Sequence, residues 1–108
     1  MNDENSSKPE IKNEEKPENV VFVGNKPVTG YAMSAITLFQ SGHNRIHLKA
    51  RGRAISHAVD VAEVLRRRFM AGQVDIKEIN TDTERVITRE GKESNISAIE
   101  IILEKISE

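Results

Sequence analysis

Lys49-Ala50-Arg51-Gly52-Arg53-Ala54-Ile55 is the stretch on which the reading of this chain turns. Before it, Arg45 to Lys49 alternates polar and apolar residues as a strand does. After it, Ile55, Ala58, Val59, Ala62, Leu65 and Phe69 recur along one stripe of a helix running from Ala54 to Phe69, with Gly72 beyond its end. Three cations therefore flank a glycine at a strand-to-helix corner. Arginine presents a fixed fork of donors that matches phosphate oxygens, and Gly52 lets the backbone turn and come close to a ligand.

A smaller corner of the same kind lies upstream. Val20 to Val23 is a short apolar strand, and Gly24-Asn25-Lys26-Pro27 ends it. Pro27 stands where a helix tolerates proline, and Val28, Tyr31, Ala32, Ala35, Ile36 and Phe39 follow at helical spacing until Gly42. Downstream, Gln73 to Asp82 and Asn95 to Lys105 read as longer strands. They are joined by a polar connection, Thr83 to Ser94, with Glu90-Gly91-Lys92 as its turn, so the pair is expected to be a hairpin with a long tip. The order βαβαββ predicts a single compact α/β domain, a two-layer sandwich. Crossover connections bring the C-terminal ends of the first two strands, and the N-termini of both helices, to one edge of the sheet. Both basic corners then share a face to which helix dipoles and unpaired backbone N–H groups add positive potential. Two such corners on one small domain call for an extended polyanion.

The overall charge conceals this. The chain has 108 residues and a formal net charge of -1. Residues 1 to 19 hold six acids, three lysines and two prolines, which predicts a disordered acidic tail over 1–18 and a domain over 19–108. Between Asn25 and Arg68, eight Lys or Arg face only Asp60 and Glu63, a balance of +6, whereas Phe69 to the C-terminus carries -4. With no cysteine, disulfides and thiolate sites are excluded. No run approaches the roughly 18 apolar residues of a membrane span, and the start of the chain has no apolar signal core, so a soluble cytoplasmic protein with no membrane partner is expected.

Asn19-Val20-Val21-Phe22-Val23-Gly24-Asn25-Lys26-Pro27-Val28, Lys49-Ala50-Arg51-Gly52-Arg53-Ala54-Ile55-Ser56, Val59-Asp60 and Arg68-Phe69 closely resemble the Alba family of archaeal nucleic-acid-binding chromatin proteins. The resemblance runs from Asn19 to Lys105. It implies an Alba-like domain that forms a homodimer, binds double-stranded DNA and also RNA largely without sequence preference, is chromosome-associated, and needs no cofactor or metal. It implies backbone contacts by Lys26 in the first loop, beside Asn25, and by Arg51 and Arg53 in the second, near Lys49. Arg85, Arg89 and Lys92 fall in the hairpin that resembles the family's groove-following arm. Phe69 matches an aromatic used where neighbouring dimers meet. Asn25 stands where many members carry a first loop lysine, so regulation by acetylation there does not carry over.

Several of these residues also have plainer readings. Arg66-Arg67-Arg68 at a helix end suits the negative dipole terminus. Phe69 on periodicity alone belongs to the core, whereas the resemblance implies partial exposure. Arg85, Arg89 and Lys92 alternate with Glu84, Glu90 and Glu93, as in a hairpin that is merely soluble. An RNA-binding module of a ribonucleoprotein complex is the alternative to the chromatin reading, because phosphate contacts and shape dominate both. Catalysis is poorly supported. His43 and His47 straddle a turn and a strand, His57 has Asp60 three residues on as a common surface pair, and Ser56 has no evident base or oxyanion partners.

Overall fold

The computed structural model describes residues 18–106. The tail expected over 1–18 therefore lies, but for Glu18, outside the described residues. Strand β1 (Val20–Phe22) leads into helix α1 (Val28–Gln40), strand β2 (Arg45–Arg51), a 3₁₀ turn (Gly52–Ala54), helix α2 (Ile55–Val64), a π-helical turn (Leu65–Phe69) and the hairpin strands β3 (Val74–Ile87) and β4 (Glu93–Lys105). The sheet order is β1-β2-β4-β3, with β1 parallel to β2 and the other pairs antiparallel.

Alternation along β2 decides the layering. Ile46, Leu48 and Ala50 point to the helices and are buried, and they pair with Leu103, Ile101 and Ile99 of β4. Phe39 from α1 and Val61 and Leu65 from the second helical segment close the core on them. Burying side chains of this size stabilises by about 1.5–3 kcal/mol each. Arg45, His47, Lys49 and Arg51 consequently line the opposite face, which carries no helix.

Two expectations need correction. The long tip over Thr83–Ser94 does not exist, since strand pairing continues to Ile87↔Glu93. Thr83, Val86 and Ile87 are β-branched residues that pair well even when exposed. The turn is confined to Thr88–Lys92, where Thr88 N–H donates to the Lys92 carbonyl (2.8 Å) and Gly91 supplies a φ of 82°. The helix expected over Ala54–Phe69 changes its winding at both ends. At the C-terminal end Met70 N–H donates to the Leu65 carbonyl (2.8 Å), an i→i−5 bond. The extra residue in that turn passes the next core position to Met70, which is 7% exposed, and leaves Phe69 41% exposed.

Candidate nucleic-acid interface

Both corners sit on one edge of the sheet. An open groove of about 960 Å³ runs there, and its walls include Gly24 and Asn25 from the first corner, Lys49, Arg51 and Arg53 from the second, and Asn80, Asp82, Glu84 and Glu100 from the hairpin. Asn25, Lys49, Arg51 and Arg53 are thus brought together. Lys26 is exposed beside the groove without lining it, and Arg85, Arg89, Lys92 and Phe69 are exposed elsewhere. Arg85 is in β3, with Glu93 at 3.6 Å, while Arg89 and Lys92 belong to the tip turn.

The two corners are held by different means. In the first, the Tyr31 hydroxyl reaches back from α1 and accepts from the backbone N–H groups of Gly24 (2.9 Å) and Lys26 (3.2 Å). These two loop amides, which precede α1, are used internally and are not free to meet a ligand. His57 does not pair with Asp60 but donates from Nε2 to the Lys26 carbonyl, and its ring meets Tyr31 edge-on at 6.1 Å. Periodicity marks Tyr31 and His57 only as helical residues; the contacts that tie them to the first corner span five to 31 residues. In the second corner Gly52 adopts φ +52°, a left-handed conformation, and a Cβ there would lie 3.0 Å from Ile96 Cδ1 of the hairpin.

Charges around the site are partly engaged. Arg51 Nε lies 2.7 Å from Glu84 Oε1, whereas Lys26, Lys49 and Arg53 make no ion pair among the described residues. On the open face of the sheet His47 Nδ1–H donates to Glu100 (2.7 Å), and Asn80 donates to the same carboxylate. The hydrogen bond from His47, then that from Asn80, holds the Glu100 carboxyl below its ordinary range. Of the arginine triplet, Arg66 and Arg67 both bond Glu63, which holds that carboxyl low, and Arg68 remains exposed. Among the described residues no helix is long and apolar enough to cross a membrane.

The same fold recurs in known proteins. The family profile of Alba matches residues 19–83. This chain belongs to the Alba family. It is 54% identical over 88 residues to DNA/RNA-binding protein Alba 1 of Archaeoglobus fulgidus, covering 82% of this chain and 97% of that one. It is 49% identical to DNA/RNA-binding protein Alba of Methanocella arvoryzae over 82% of this chain and 91% of that protein. Among solved structures, Alba from Thermoplasma volcanium superposes with a TM-score of 0.74 at 44% identity, over 80% of this chain and 99% of the other. Alba1 from Trypanosoma brucei does so with a TM-score of 0.69 at 26% identity, over 85% and 73%. The Alba fold expected from the corner residues is therefore the fold of this chain.

Proposed function

We propose that this Alba protein coats double-stranded DNA as a homodimer and contributes to chromosome organisation in the cytoplasm. The observation that carries this reading is the convergence of Asn25, Lys49, Arg51 and Arg53 on one open groove, in a chain whose relatives are named DNA/RNA-binding proteins. Lys26, Arg51 and Arg53 of each copy neutralise phosphates, and the hairpins, with Arg85, Arg89 and Lys92, follow the duplex. Contacts of this kind read charge and shape and carry little sequence information. The activity is binding alone, with no cofactor and no catalytic step.

Phe69 extends the mechanism to assembly. Its 41% exposure leaves part of the ring available to a neighbouring dimer. Phe69→Ala is then expected to lower cooperativity on long duplexes while leaving affinity for a one-dimer site and the melting temperature nearly unchanged. A buried Phe would instead cost about 3–5 kcal/mol of stability on truncation.

The test is salt dependence. If one dimer neutralises about six phosphates, log affinity falls with log salt at a slope near -5, since counterion release contributes about -0.9 per phosphate. The double variant Arg51→Ala/Arg53→Ala should reduce the slope to about -2. A folded double variant that binds duplex DNA as tightly as the parent would remove this interface. The names of both curated relatives also support RNA as a ligand. Competition between duplex DNA and RNA of matched length, followed by crosslinking and sequencing of the occupied polymer in cells, decides which one dominates.

A further inference from the structure

The geometry points to Glu84 as a built-in counter-charge against Arg51, a carboxylate that backbone phosphate must displace from the guanidinium and that thereby lowers the affinity of the groove. Glu84 Oε1 lies 2.7 Å from Arg51 Nε, and the two side chains keep 37% and 63% of their surface exposed, so a ligand in the groove meets the pair directly. The contact is built by strand register and does not depend on a flexible loop. Arg51 is opposite Ala98, which is opposite Asp82, and Glu84 is two residues further along the same face of β3. Ile96, directly opposite Glu84, reaches within 3.0 Å of where a Cβ on Gly52 would be, so the corner and the hairpin are packed on each other.

Carboxylate and phosphate compete for the same guanidinium charge. When a phosphate takes Arg51, the ion pair is lost and the liberated Glu84 carboxylate stays a few ångströms from the incoming anion. Both effects oppose binding, and the second is weakly screened because the separation is well inside a Debye length of about 10 Å at 0.1 M salt. The ion pairs within the hairpin, Arg85 with Glu93 at 3.6 Å and Lys77 with Glu104 at 3.9 Å, are longer and do not line the groove. Of the groove's hairpin carboxylates, Glu84 is the one in ion-pair contact with a corner arginine.

This inference rests on the proposed phosphate-binding role of Arg51, and a double-mutant cycle separates the two. Glu84→Gln, Arg51→Ala, the double variant and Glu93→Gln are titrated on a short DNA duplex at several salt concentrations, with circular dichroism to establish that each is folded. Glu84→Gln is expected to bind roughly two- to fivefold more tightly per subunit, the range of an exposed ion pair, with a steeper salt slope. In the Arg51→Ala background the same change should have little effect, and Glu93→Gln should tighten binding less than Glu84→Gln does. Equal tightening in both backgrounds would make Glu84 a general field effect and overturn the inference. Weaker binding by Glu84→Gln would make the carboxylate a support for Arg51 and overturn it as well. If Arg51→Ala weakens binding but Glu84→Gln changes nothing, the inference falls and the phosphate face stands. If Arg51→Ala binds as the parent does, both fall.

Discussion

The two basic corners end parallel neighbouring strands and precede similar helices, yet they are stabilised in opposite ways. At the first, a side chain from the following helix binds the loop: the Tyr31 hydroxyl takes the amides of Gly24 and Lys26, and His57 takes the carbonyl of Lys26. At the second, the backbone shapes itself. Gly52 turns left-handed, the chain tightens into a 3₁₀ turn, and the hairpin packs against it through Ile96. The difference teaches that the first corner is held from behind, from the helix layer, and the second from the front, from the arm. The hairpin therefore bears directly on the second corner, through Arg51 and Gly52.

The largest expected effect comes from the glycines. Gly52→Ala forces a left-handed conformation on an L-residue, at about 1–2 kcal/mol, and crowds Ile96 besides. Gly24→Ala requires no such conformation and meets only the Tyr31 hydroxyl at 3.2 Å, so it should cost less. Chemical denaturation of the two variants checks the order, and equal losses would erase the distinction between the corners.

Tyr31→Phe comes next. It keeps the ring against the core but leaves two loop amides to water, for an expected loss of about 1 kcal/mol. Binding should weaken through disorder at Lys26, with Arg51 and Arg53 unaffected, so the Tyr31→Phe defect and the Arg51→Ala/Arg53→Ala defect should combine additively in log affinity.

His57→Ala sharpens the same comparison. Because His57 donates to Lys26 and meets Tyr31 edge-on, a melting cycle with Tyr31→Leu, which removes the ring, should give a coupling of about 0.5–1.5 kcal/mol, the scale of aromatic pairs. Zero coupling would mean that Tyr31 and His57 hold the first corner independently of each other.

The smallest effect is on acid stability. Glu63, Glu100 and Glu104, the carboxyls held low by hydrogen-bonded partners, all lie outside both corner segments. A carboxyl with a depressed pKa contributes fully above its ordinary value and loses that contribution as pH falls through the depressed one. Thermal melting should therefore decline below the usual carboxylate range, with Glu100→Gln flattening that decline. Gly52→Ala and Tyr31→Phe should shift the whole curve without changing its shape.

Of the two corners, the second was almost fully legible in the sequence, because cation, glycine and cation at a change of period carry their meaning in adjacent residues. The first was legible only in part. Asn25 and Lys26 could be placed, but Tyr31 and His57 read as ordinary helical positions, and the use of the loop amides went unseen. Phe69 shows the same limit on the core. A period of 3.6 assigns it to the buried stripe, and the π-helical turn that moves it outward depends on how Leu65 and Met70 fill the core together.

Element order, the parallel crossover, the segregation of charge and the two basic corners were determined by the sequence alone, since each follows from local period and from residues close together in the chain. The length of the paired hairpin, the winding of the second helix's end and the partnership of Arg51 with Glu84 were decided only in three dimensions. The helix end depends on how Leu65 and Met70 share the core, whereas the hairpin and the pairing of Arg51 with Glu84, 33 positions apart in the chain, depend on register across β2, β4 and β3, where a one-residue slip would turn Glu84 to the other face.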